Sequence, residues 1–109
     1  MGRRSELPRR FRRSPRKVVL GVEMPVATTY VSRLLGLALL APERAGPGLL
    51  IPRCRNIHTF GMRYRIDVIF LGKTGQPIDL RRFVSPARIV RCRAAAAVLE
   101  RPSSTCPNA

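Results

Sequence analysis

The chain is 109 residues long and 45% apolar, enough to bury one core and too little for two. Its charged fraction is an ordinary 25% and its apolar residues come in runs, which excludes a wholly disordered chain. The balance of 21 Lys+Arg against 6 Asp+Glu gives a net charge of +15, which favours acidic partners: an acidic ligand, or a nucleic acid bound through phosphates with little sequence discrimination. Codon usage biased toward Arg, Ala and Pro produces the same composition, so the charge alone defines no site.

Residues 1–17 carry eight basic side chains and little apolar surface beyond Leu7 and Phe11. They are expected to form a disordered basic tail, with the domain spanning residues 18–102 and a second disordered tail over residues 103–109. Between Val18 and Ala27 the β-branched residues Val18, Val19, Val22 and Val26 predict one or two short strands, with Pro25 at a break or an edge. Thr28 or Thr29 is placed to cap a helix. Val31, Leu34, Leu35 and Ala38 follow at the spacing of an apolar helical face, with Ser32 and Arg33 opposite and Gly36 weakening or ending the helix. Pro42, Gly46, Pro47 and Gly48 make a loop, and Leu49 to Ile51 a short buried strand before Pro52.

Ile66 to Leu71 is the clearest strand. Ile66, Val68 and Phe70 alternate with Asp67, Ile69 and Leu71, so both faces are mostly apolar and the strand is central. Gly72 to Gly75 is a hairpin turn leading into a strand from Gln76 to Leu80. Arg88 to Cys92 is a further strand with Val90 and Cys92 inward. Ala94 to Glu100 fits a helix by its alanines or a strand by its Val98–Leu99 ending. The fold class expected is mainly β with a short helix.

Cys54, Cys92 and Cys106 are an odd number, and the apolar stretch after Lys17 stops at Glu23, short of a secretion signal. Reduced thiols and a cytoplasmic location follow as expectations. The longest apolar run, Leu34 to Ala41, is too short to span a bilayer.

The densest polar cluster runs from Cys54 to Asp67 and holds His58, the single histidine of the chain. Asp67 interrupts an apolar face, and a buried carboxylate there needs a basic or donor group, for which Arg33, Arg63, Arg65 and His58 are the candidates. Arg33, His58, Thr59, Met62, Arg63 and Asp67 are therefore the candidate ligand-binding residues. Pairing of Asp67 with an arginine purely to fix the fold accounts for the same residues. Cys54, His58 and Cys92 make at most three zinc ligands without a C-x-x-C pair, so no metal and no cofactor is expected. Gly72-Lys73-Thr74 resembles the end of a phosphate loop, but Asp67 stands where its first Gly belongs. A small hydrolase using His58 and Asp67 would lack an identifiable nucleophile.

Gly48-Leu49-Leu50-Ile51-Pro52-Arg53-Cys54, Ile57-His58-Thr59-Phe60-Gly61-Met62-Arg63 and Ile66-Asp67-Val68-Ile69-Phe70-Leu71 together resemble the central motif of the domain of unknown function family 192. Arg33, Gly36-Leu37 and Val98-Leu99-Glu100 match its flanks. The resemblance implies a compact half-barrel or sandwich with a short helix and supplies no activity. Similar chains continue past Val-Leu-Glu to a last strand, whereas here Arg101 leads into Pro102, Ser103 and the end of the sequence. An open sheet edge and self-association through it are expected on that ground. The leading functional expectation is a non-catalytic binding or accessory module, with non-specific nucleic-acid binding through arginine-rich surfaces as the alternative.

Overall fold

A computed structural model describes residues 9–40 and 45–103. It is mostly β, with one short helix and antiparallel strand pairing throughout its sheets. The central sheet has four strands in the order β3-β8-β5-β6: β3 (Leu49–Pro52), β8 (Ala97–Pro102), β5 (Ile66–Leu71) and β6 (Pro77–Val84). Two hairpin-like pairs accompany it. β1 (Arg16–Val19) pairs with β2 (Val22–Pro25), and β4 (Asn56–His58) pairs with β7 (Ile89–Arg91).

The period-2 alternation of β5 decides how the layers stack. Ile66, Val68 and Phe70 face one core with Leu49, Ile51 and Val98, under Leu37, Ala38, Ile57, Met62 and Val90. Ile69 and Leu71 face the other with Leu50 and Leu99, under Val19 and Met24 of the β1–β2 hairpin. All six residues of β5 are buried, as a strand covered on both faces must be. The β1–β2 turn is made by Leu20 and Gly21, both at positive φ (51° and 84°), the twist that two-residue hairpins favour.

Ala94 to Glu100, open between helix and strand, resolves in favour of strand: β8 lies between β3 and β5, with Leu50 opposite Leu99 and Ile69 opposite Leu99 on its other side. The sheet's two outer strands are β3 and β6. Along β3 the chain at Val26 makes a parallel bridge to Leu50, and Ala27 N–H donates to Leu50 O at 2.8 Å. The open edge expected at the C-terminal end lies instead along β6, which has no further strand beside it among the described residues.

The expected tail over residues 1–17 does not hold from Arg9 onward. Arg9–Phe11 is a 3-10 turn, and Phe11 is buried (1% exposed) in the core under the helix. Arg16 and Lys17 then enter β1. One aromatic side chain anchors a stretch whose charge count alone argued for disorder, because burying a ring offsets much of the ordering entropy. Ser103, expected in the second tail, is tied to the sheet by hydrogen bonds to Arg65 O and Asp67. Residues 1–8, 41–44 and 104–109, including Cys106, lie outside the described residues.

The helix α1 spans Tyr30–Leu35. Thr29 caps it: the Ser32 N–H donates to Thr29 Oγ1 and the Thr29 N–H to Ser32 Oγ, both at 3.0 Å, a reciprocal capping box that satisfies two otherwise orphaned donors. Gly36 ends it. The expected apolar face is corrected here. Ser32 is the buried residue of α1, Val31 and Leu34 are about half exposed (52% and 49%), and the core contribution comes from Leu37 and Ala38 in the following turn. With its hydroxyl satisfied inside the box, Ser32 is buried at little cost, and that sets the rotation of the helix. No helix among the described residues is long and apolar enough to cross a membrane.

Candidate functional site

A cleft of about 400 Å3 opens between α1 and the β4–β7 pair. Arg33 and Leu34 reach it from α1, Asn56 and His58 from β4, Phe60 from the turn that follows, and Ile89 from β7. Glu100 of β8 forms part of its lining. Leu34, Phe60 and Ile89 are 49%, 51% and 64% exposed, an unusual amount of apolar surface to gather at one concavity.

The polar groups are held by backbone. His58 Nδ1 accepts from the Phe60 N–H at 3.2 Å, which leaves the ring proton on Nε2 to donate to Leu34 O at 3.0 Å. A neutral imidazole protonated at Nε2 satisfies both. The His58 and Phe60 rings lie 5.6 Å apart. Arg33 donates through Nη1 to Pro52 O at 2.6 Å and through Nη2 to Arg53 O at 3.2 Å. These bonds fix the end of β3, where Arg53 adopts a left-handed φ of 50°. Two of the five guanidinium N–H groups are thereby used.

Glu100 follows Val98 on the face of β8 that points toward α1, and it is 2% exposed. Its Oε1 accepts from the Leu37 N–H at 3.3 Å. Burial raises its pKa to about 7, opposed by that hydrogen bond and by the positive charge of Arg10. Gly36 is the residue that makes room: a Cβ there would lie 2.5 Å from Glu100 Oε1, at a backbone φ of 54°. A carboxyl that titrates near neutrality in the lining of a cleft can donate or accept a hydrogen bond, depending on pH.

Of the six residues proposed from sequence, only Arg33 and His58 line this cleft. Thr59 is fully buried and knots the chain: its Oγ1 donates to Ser85 O and accepts from the Arg88 N–H, each at 2.7 Å. Met62 is core, and Arg63 is exposed outside the cleft lining. Asp67 faces the opposite side of the sheet. Its Oδ1 accepts from Ser103 Oγ at 2.6 Å and the Phe83 N–H at 3.1 Å, and its Oδ2 lies 3.6 Å from Arg101 Nε and 4.0 Å from Arg82 Nε. None of the four partners expected for it is used. Arg101 stands directly opposite Asp67 in the β5–β8 register, so the pairing follows from a strand alignment that spacing along the sequence does not encode. His58 and Asp67 share no partner, as a hydrolase built on the two would require.

Cys54 donates its thiol to Asn56 O at 3.0 Å, and burial raises its pKa, which keeps it a poor nucleophile. Cys54 and Cys92 are both free. Among the described residues no three His, Cys, Asp or Glu side chains gather as a metal site. Glu100, Asn56 and the apolar walls are cleft residues that the sequence does not single out. The parity of Glu100 with Val98 was available as a signal once Ala97–Pro102 is taken as a strand.

No protein-family model matches the chain. Nor does any curated protein. Two solved structures share its fold. One is a protein from Sinorhizobium meliloti 1021 proposed to be a transcription regulator, at TM-score 0.62 and 19% identity over 81% of this chain and 78% of that one. The other is a protein of unknown function from Novosphingobium aromaticivorans DSM 12444, at TM-score 0.60 and 17% identity over 84% of each chain.

Proposed function

We propose that the chain is a non-catalytic binding module that takes a small ligand with an apolar body and an acceptor group in the cleft between α1 and the β4–β7 pair. The observation that carries this is the convergence of Arg33, Asn56, His58 and Glu100 with three half-exposed apolar side chains on one concavity, the composition small-molecule sites share. Arg33 retains donors for a carboxylate, and Leu34, Phe60 and Ile89 offer the apolar wall. The resemblance of the central motifs to the domain of unknown function family 192 supports membership of that family and brings no reaction with it. The free thiols of Cys54 and Cys92 support a reducing compartment, the cytoplasm.

Benzoate and hexanoate are suitable probes, added to isotopically labelled protein and followed by amide NMR shifts. Saturable shifts at Asn56 to Phe60 and Ile89 to Arg91 are expected, lost in Phe60→Ser and Ile89→Ser, two rim substitutions that leave the core intact. Shifts that persist in both variants, or no saturable shift at these amides, would overturn the proposal.

A further inference from the structure

A second hollow, of about 520 Å3, lies at the end of the central sheet where β3 and β5 finish and β8 begins. Strand register builds it. Pro52 and Leu71 stand opposite Ala97 on its two sides, so Arg53 and, past Gly72, Lys73 are delivered to the same rim. The β1–β2 hairpin brings Lys17 and Leu20 to it. Leu50 and Leu71 are buried beneath, and the small side chain of Ala97 leaves the space between them and the hairpin unfilled.

The cations of this hollow are uncommitted. Lys17 and Lys73 are the two lysines of the chain, and they meet here with Arg53. Among the described residues none of these three side chains makes a hydrogen bond or an ion pair. The lining holds no carboxylate, and Glu23, across the hairpin from Val18, is not part of it. Three like charges around one concavity repel each other unless an anion lies between them. The turn from Gly72 to Gly75 does not supply a backbone cradle for that anion, because three of its N–H groups are used internally. Gly72 N–H donates to Gln76 O at 2.8 Å, Gly75 N–H to Gly72 O at 3.0 Å and Thr74 N–H to Gln76 Oε1 at 3.1 Å. The turn is instead a firm base for the Lys73 side chain.

Leu20 is the independent sign of a ligand. It adopts a left-handed φ of 51°, a position that favours Asn or Gly, yet its side chain is 50% exposed. Neither the turn nor the core accounts for a leucine there, whereas an apolar wall for the hollow does. We infer that the hollow binds a phosphate monoester carried on an apolar body. Lys17, Arg53 and Lys73 take the doubly charged head, and the body lies between Leu20 and the floor of Leu50 and Leu71. Ammonium and guanidinium groups both suit phosphate oxygens, and a single carboxylate would leave two of the three cations uncompensated. The α1/β4–β7 cleft has a different lining, and neither reading depends on the other.

The test titrates hexyl phosphate into the isotopically labelled full chain at pH ~7.5, where the monoester is mostly a dianion. Saturable amide shifts are expected at Lys17 to Leu20, Arg53, Lys73 to Gly75 and Ala96 to Ala97, away from the amides of the other cleft. Hexanoate, with one charge, and methyl phosphate, without the apolar body, are each expected to bind there roughly tenfold more weakly or worse. One hydrogen bond to a charged group, or two buried methylene groups, accounts for such a factor. Lys73→Ala is expected to weaken hexyl phosphate binding roughly tenfold, and Arg63→Gln, which removes an exposed charge outside the hollow, much less. Leu20→Asn suits the turn better than leucine does, so the hairpin stays formed, and it is expected to abolish the preference for hexyl over methyl phosphate. Sedimentation with phosphatidylcholine vesicles, with and without phosphatidate, distinguishes the sources of the head group. Pelleting that requires both phosphatidate and Lys73 identifies a lipid, and saturable hexyl phosphate binding without pelleting identifies a soluble ester. Equal losses from Lys73→Ala and Arg63→Gln would reduce the binding to net charge, and equal affinity for methyl and hexyl phosphate would leave an adventitious ion only. Either result overturns the proposal, as does the absence of both saturable shifts at these amides and phosphatidate-dependent pelleting.

Discussion

Glu100 is the side chain whose chemistry the fold alters most. Its pKa rises from 4.5 to about 7 because burial penalises the charged form. The folded state therefore holds the proton more tightly than the unfolded chain does. That contribution is complete below pH ~4.5, declines as pH rises, and is gone above pH ~7, a loss of about 3 kcal/mol. Glu100→Gln keeps an acceptor for the Leu37 N–H and has no proton to lose, so its stability should be flat over that window and exceed the parent's at pH ~8. Urea unfolding at a series of pH values measures this, and a parallel pH dependence in both proteins would refute it. Asp67 offers the complementary lesson. A carboxylate at this position of an alternating strand has to be partnered, as its 1% exposure requires, but its donors are not the four that the sequence suggests. Burial of a polar residue in an alternating strand is visible locally, whereas Arg82, Arg101 and Ser103 are brought to it by strand register.

Among the elements, those with strong local signals were legible: β5 with its two apolar faces, the hairpin turn from Gly72 to Gly75, β3 before Pro52, β7 with Val90 inward, and the Thr29 cap. The misreadings share one cause. The direction of α1 and the anchoring of residues 9–17 depend on what packs against them, and local composition outvoted a single ring. Phe11 is the test case. It fills a core also lined by Leu37, Ala38 and Met62, so Phe11→Ala should cost about 3–5 kcal/mol. A stability within 0.5 kcal/mol of the parent, roughly the effect of an ordinary surface substitution, would return the segment to a dispensable tail. The candidate cleft was half legible. Arg33 and His58 stood out as candidate partners of Asp67, while Leu34 and Phe60 passed for core residues, and Ile89, expected on the outward face of its strand, carried no sign that it joins them at one cleft.

For the whole molecule, the net charge of +15 meets few compensating carboxylates. The ion pairs among the described residues involve only Asp67 and Asp79. Self-repulsion should therefore outweigh surface attraction, and moderate salt should stabilise the fold. Raising NaCl from low concentration to about 0.15 M, where the Debye length is near 8 Å, should lift the melting temperature by several degrees; a fall would mean that ion pairs dominate. The central position of β8 bears on the order in which the molecule is made. β3 and β5 emerge from the ribosome first but do not pair with each other, and their shared partner is the last strand of the sheet in sequence. Leu49 waits for Glu100, and Leu71 for Ala97. Until β8 is synthesised, β3 has no strand partner in the sheet and β5 has only β6 beside it, and the interval before its arrival is when the protein is most exposed to misassociation.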